Sequence, residues 1–119
     1  MYSMVRIVSV VAYHAPVRGV LTFFFRRVIV DGASMMPTYE PGTELVAVRR
    51  WRAVRVGDVV VVPDPRESRR LLLKRCVATN RGLLDVRGDN PEFSTDSREF
   101  GLVAARQVHY LVRGPLRKS

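Results

Sequence analysis

The feature that most constrains this 119-residue chain is how often its apolar stretches are broken by turn formers. From residue 28 onward the strand-like stretches span only 28–30, 44–48, 59–62, 71–77, 83–87 and 108–112. Asp31-Gly32, Pro41-Gly42, Pro63-Asp64-Pro65 and Asn80-Arg81-Gly82 stand between them. Segments that short, bounded by Gly, Pro and Asn, read as strands, because a helix needs a longer periodic stretch to bury one face. The unbroken valines at 59–62 predict a buried strand, and 71–87 reads as a hairpin across its Asn-Arg-Gly turn. No long amphipathic helix follows residue 31, although 100–106 has room for one turn. The expected fold is all-β, a small barrel or sandwich of short antiparallel strands preceded by a short helical or strand segment.

The first thirty residues are different. Two apolar runs, 7–13 and 19–25, flank His14, Pro16 and Arg18. A membrane-spanning helix needs about 20 mostly apolar residues, and Arg18 inside such a span would cost about 2.5–3.5 kcal/mol on insertion scales. Pro16 would kink it, and no small-x-small cleavage site follows either run. Two readings remain. In one, 4–13 is a short helix or strand on the core and 21–31 a first core strand. In the other, Phe23, Phe24 and Phe25 beside Arg26 and Arg27 form an interfacial anchor. The chain accordingly divides into an N-terminal segment, 1–27, a core, 28–112, and a basic tail, 113–119.

Composition narrows the function classes. Lys and Arg number 20 against 11 Asp and Glu, a net charge of +9, which suits an anionic membrane or an acidic partner. Nucleic-acid binding has no supporting motif: there is no zinc-ligand spacing, no aromatic-interleaved RNA motif and no helix-turn-helix. The single cysteine, Cys76, excludes an internal disulfide and a cysteine-cluster metal site. No metal or organic cofactor is called for.

Three segments carry chemistry when taken together. In Gly32-Ala33-Ser34-Met35-Met36-Pro37-Thr38 a serine follows a strand and a glycine and precedes a proline. That arrangement presents a hydroxyl at a strand end among free backbone N–H groups, as an oxyanion hole requires, although a lone serine there more often only closes a turn. In Leu71-Leu72-Leu73-Lys74-Arg75-Cys76, strand alternation puts Lys74 on one face with Leu72 and Cys76. An ammonium on an apolar face loses hydration, its pKa falls, and as a neutral amine it can deprotonate a serine. An edge-strand lysine that snorkels to water is the commoner case. The third segment, 88–101, is dense in loop formers and sets Asp96 and Arg98, of opposite charge, two positions apart. His14 and His109 sit in no catalytic-looking motif, so a Ser-Lys pair is favoured over a Ser-His-Asp triad.

Together these boxes resemble the type I signal peptidases. The matching elements are G-x-S-M-x-P-T at 32–38, V-x-x-G-D-V-V-V at 54–61, the Lys74-Arg75 pair, and G-D-N-x-x-x-S-x-D-S-R-x-F-G at 88–101. Order and spacing agree over about 28–112. The resemblance implies a serine endopeptidase that cleaves a leader or signal peptide after small residues, through an acyl-enzyme. Ser34 takes the place of the nucleophile and Lys74 of the general base. Ser94 falls where the family orients the lysine, and Asp96 and Arg98 fall on a supporting ion pair. Gly32 and Met35 fall at the substrate groove, and the Ser34 N–H is one oxyanion donor. Such a dyad calls for a hydroxyl within about 3–3.5 Å of the amine, looser without substrate.

Lys74 and Gly88 are only 14 positions apart, so the large extra β-domain of bacterial signal peptidases is missing from that interval. The implied partner is a peptide or preprotein, with peripheral contact to an anionic membrane; a cytoplasmic location is the alternative. Short members also resemble the maturation proteases of nickel-containing superoxide dismutase, each serving one partner. A non-catalytic basic β-domain that binds membrane or an acidic partner is a further reading. A self-cleaving repressor domain fits less well, because no DNA-binding domain or Ala-Gly cleavage loop accompanies the dyad.

Overall fold

A computed structural model describes residues 3–9 and 24–115. The described residues form eight strands: β1 (Met4–Ser9), β2 (Phe25–Asp31), β3 (Glu44–Arg49), β4 (Val59–Asp64), β5 (Glu67–Asn80), β6 (Leu83–Arg87), β7 (Val103–Ala104) and β8 (Tyr110–Pro115). Helix comprises, among the described residues, Phe24, one turn, α1 (Ser97–Phe100), and two 3-10 turns, Pro91–Phe93 and Ala105–Gln107. Every pairing is antiparallel. The order β1-β2-β3-β8-β4-β5 closes on itself where β5 meets β1, giving a six-stranded barrel, and β6 and β7 extend the sheet beyond β5. The all-β barrel expected from the turn spacing is what the chain forms.

The β4–β5 hairpin separates two cores, and strand alternation decides which residue enters which. Val59, Val61 and Leu73 face the barrel interior with Val5, Val28, Val30, Met35, Leu45 and Ala47. Val60, Val62, Leu72 and Cys76 face the other way, against Leu84, Val86, Val103, Val108 and Leu111. The four valines of β4 are continuous because both of their faces are covered. At roughly 1.5–3 kcal/mol for each fully buried aliphatic side chain, these two layers supply most of the drive to fold. The hairpin turn between β5 and β6 needs positive φ at both central residues, and Arg81 (φ 51°) and Gly82 (φ 79°) provide it.

The strands run past the expected 28–112 core at both ends: β1 closes the barrel, β2 begins at Phe25, and β8 takes in Arg113, Gly114 and Pro115. β5 also starts earlier than the apolar pattern suggests, because the charged residues 67–70 continue the ladder at the exposed end of the hairpin, where Glu67 pairs with Asp64. For the N-terminal segment the strand alternative holds at 4–9. Residues 10–23, with His14, Pro16, Arg18 and Phe23, lie outside the described residues. Phe24 is exposed and Phe25 half-buried. No helix among the described residues is long and apolar enough to cross a membrane.

Candidate active site

β2 delivers Ser34. After Asp31 the chain turns at Gly32, whose φ of 99° lies in the left-handed region that favours glycine. Ser34 follows with no exposed surface. Asn90 grips this turn twice: its N–H donates to the Ser34 carbonyl (2.8 Å) and its Nδ2 donates to the Ala33 carbonyl (3.0 Å). The Ser34 Oγ accepts a hydrogen bond from the Ser3 N–H at 2.7 Å. Among the described residues the Ser34 N–H forms no hydrogen bond. Met35, assigned to the groove from the sequence, is fully buried in the barrel core.

β5 delivers Lys74, opposite Val60 of β4 and between Leu72 and Cys76 in the alternation. Lys74 has no exposed surface. Burial pushes its pKa down to about 8; Asp96 and Glu99 pull it up less strongly, while Arg98 and Arg66 push it further down. Its Nζ donates to Ser94 Oγ at 2.9 Å. Ser94 Oγ donates its own proton to Asp96 Oδ2 (2.7 Å) and also accepts from the Gly88 N–H (3.1 Å). With that proton committed, Ser94 can only accept from the lysine.

Asp96 is fully buried and clasped by Arg98, with Nε to Oδ1 at 2.9 Å and Nη2 to Oδ2 at 2.7 Å. Burial alone would raise the carboxyl pKa; hydrogen bonds from Arg98, Ser94 and the Gly88 N–H outweigh it and hold the group well below the usual range. Asp96 also caps α1, accepting from the Arg98 N–H while Glu99 accepts from the Asp96 N–H, so the carboxylate is fixed by its helix as well as by its ion pair.

The two halves meet at Gly88. A Cβ there would collide with Ser94 Oγ and stand 2.6 Å from the Ser34 carbonyl oxygen, so only glycine lets the Ser34 turn and the lysine's partner pack together. A second tie sits alongside: Arg75 clasps Asp89 through Nε and Nη2, both at 2.9 Å, and Thr38 Oγ1 donates to Asp89 Oδ2 at 2.6 Å. The structure thus gathers Ser34, Lys74, Ser94, Asp96 and Arg98 around one glycine. No hydrogen bond joins Ser34 Oγ to Lys74 Nζ in this state: the serine oxygen accepts from Ser3 and the amine donates to Ser94.

Sequence reasoning gave no role to Gly88, Asp89, Asn90 or Arg75, although all four stand in the boxes that carry the resemblance. Ser3 carried no signal, because its place depends on closure of the barrel. His109 is exposed just ahead of β8, and its carbonyl accepts from the Arg50 N–H. Cys76 is buried, and burial pushes its thiol pKa up. Among the described residues no group of His, Cys, Asp or Glu is arranged to hold a metal.

Residues 3–82 match the family model of signal peptidase, peptidase S26. The matched stretch includes Ser34 and Lys74 and ends before the 88–101 box. The chain is 32% identical to mitochondrial inner membrane protease subunit 1 of Schizosaccharomyces pombe, over 87% of this chain and 81% of that protein. It is 28% identical to mitochondrial inner membrane protease subunit 2 of Mus musculus, over 67% of this chain and 60% of the relative. With mitochondrial ATP-independent inner membrane protease subunit 1a of Arabidopsis thaliana it shares 30% identity, over 62% and 60%.

Proposed function

The chain belongs to the signal peptidase family, peptidase S26, and we propose that it is a serine endopeptidase that removes a leader or signal peptide after small residues, with Ser34 as nucleophile and Lys74 as general base. The observation that carries this reading is a lysine of zero exposure, held by a serine that is itself held by a buried ion pair. An amine that titrates near 8 is neutral in a useful fraction at physiological pH. A neutral amine that gives one proton to Ser94 keeps its lone pair for another donor.

In the proposed reaction Lys74 takes the proton of Ser34 Oγ as that oxygen attacks the scissile carbonyl carbon. The free Ser34 N–H stabilises the developing oxyanion. The amine leaves with the proton, an acyl-serine remains, and Lys74 then activates the water that releases the product. Ser94, Asp96 and Arg98 do not touch substrate; they orient the lysine. Gly32 supplies the swivel that aims the nucleophile, and Met35 supports it from the barrel interior.

Association with an anionic membrane surface belongs to the same reading. It is supported by the net charge of +9 and by relatives named as inner membrane proteases. The test is hydrolysis of an internally quenched peptide containing Ala-x-Ala, followed by mass spectrometry of precursors that accumulate in cells lacking the protein. Cleavage after the second Ala, abolished in Ser34→Ala and Lys74→Ala, supports the reading. Equal rates in wild type and both variants overturn it.

A further inference from the structure

β1 lies between β2 and β5, and those two strands carry the site. β2 leads into Ser34, and β5 holds Lys74. The gap between them is where one extended backbone would touch both. Met4 sits there, paired with Asp31 on one side and Leu72 on the other. One residue earlier, the Ser3 N–H lies on Ser34 Oγ at 2.7 Å and the Ser3 carbonyl accepts from the Leu73 N–H at 3.4 Å. Ser3, Ser34 and Lys74 all have zero exposure.

A nucleophile with no accessible surface cannot meet a substrate, so something must move. The nitrogen of Ser3 stands at hydrogen-bond distance from Ser34 Oγ, where a reacting carbonyl would have to come. Its N–H also occupies a lone pair of that oxygen. The remaining attachments are unequal. Among the described residues β1 pairs with β2 over six residues but with β5 only at Met4, and the Leu73-to-Ser3 hydrogen bond next to that pair is long. The Ser3 hydroxyl is buried with no hydrogen-bond partner, a cost of closure that release removes.

We propose that residues 3–4 are a resident occupant of the slot between β2 and β5, an internal stand-in for an extended peptide that must peel from β5 before cleavage. The inference rests on the protease reading for Ser34 and Lys74. β1 stays on β2 while its first residues swing away from Leu72 and Leu73. Substrate and Ser3 compete for one place, so observed affinity is reduced by the fraction of molecules that are closed.

The test locks the slot. Met4 and Leu72 form a non-hydrogen-bonded antiparallel pair, since the hydrogen bond runs between Ser3 and Leu73; such pairs bring side chains close enough for a disulfide. In a Cys76→Ala background, Met4→Cys/Leu72→Cys is expected to lose about tenfold or more of its cleavage rate when oxidised and to regain it on reduction. Equal rates in the two redox states overturn the proposal. Ser3→Pro, which deletes the donor and leaves the β1–β2 ladder, is expected to raise kcat/KM by about two- to tenfold. An unchanged or lower value, with an unaltered Tm, also counts against it.

Amide exchange separates this proposal from the protease reading. In wild type with an Ala-x-Ala peptide whose scissile amide is reduced to an amine and so cannot be cut, exchange at Ser3 is expected to accelerate while Leu73 and Met4 stay protected. If this peptide protects Leu73 and Ser3 exchange does not change, the occupant idea is wrong. If wild type cleaves no Ala-x-Ala peptide while the reduced analogue still releases Ser3, the protease reading fails and the slot stands. If peptide alters neither amide, the slot itself is refuted.

Discussion

Ser34 and Lys74 are both wholly buried, yet the molecule holds them by different means. The lysine is fixed by side chains: Ser94, behind it Asp96, behind that Arg98, with the capping turn of α1 as foundation. The serine is fixed mainly through backbone: Asn90 holds two carbonyls of its turn with its N–H and its side-chain amide, and the Ser3 N–H lies on its hydroxyl. The lysine is thus preorganised by a satisfied polar network, while the serine sits in a turn whose cover is one strand end. Electrostatic tuning is concentrated on one partner and access on the other.

The largest effects test whether both regions are needed for chemistry. Ser34→Ala and Lys74→Ala should each lower kcat/KM by about 10³-fold or more, read by peptide hydrolysis. Their stabilities should part company: Ser34→Ala stays close to wild type in thermal unfolding, and the lysine variant does not.

Next comes Asp96→Asn. Removing one partner of a buried ion pair costs about 3 kcal/mol or more, measured by denaturant unfolding. The same change removes the charge that raises the Lys74 pKa and leaves Arg98, which lowers it. The inflection of the activity profile, expected near 8 in wild type, should therefore move to lower pH while stability falls. A shift to higher pH would contradict the assignment of Asp96 to the lysine's side of the site.

Lys74→Met should stabilise the fold at pH 7 by up to about 3 kcal/mol, the worth of a pKa displaced from 10.5 to about 8. The folded-state value lies below the unfolded one, so between pH 8 and 10.5 the unfolded chain binds more protons. Wild-type stability contributed by this group therefore rises with pH across that window, and the advantage of Met shrinks over the same range.

The smallest effect belongs to the serine's side. Asn90→Ala should reduce kcat by about tenfold through a misplaced Ser34 turn, with KM and the pH inflection left where they are. A shifted inflection would show that Asn90 acts on the lysine instead, and the contrast between the two halves would dissolve.

Much of this division is visible in the one-dimensional pattern. Alternation in β5 puts Lys74 with Leu72 and Cys76, and those two line the second core. The unbroken valines of β4 announce a strand covered on both sides. What the pattern does not carry is anything that depends on closure. Position 35 follows a turn, not a strand, so alternation has no hold on it and Met35 enters the barrel interior. The β5 ladder continues through the charged residues 67–70 because pairing with β4, not burial, sets its length there. Ser3 meets Ser34 across 31 positions only because β1 closes the barrel.

The hairpin that divides the interior has one more consequence. Val61 and Val62 are neighbours in the chain, yet they belong to separate compartments, the first to the barrel and the second to the layer that insulates the amine. Sequence drift in one chamber can thus retune the dryness around Lys74 while the other keeps its packing, so the acidity of that amine and the integrity of the scaffold can evolve along separate tracks.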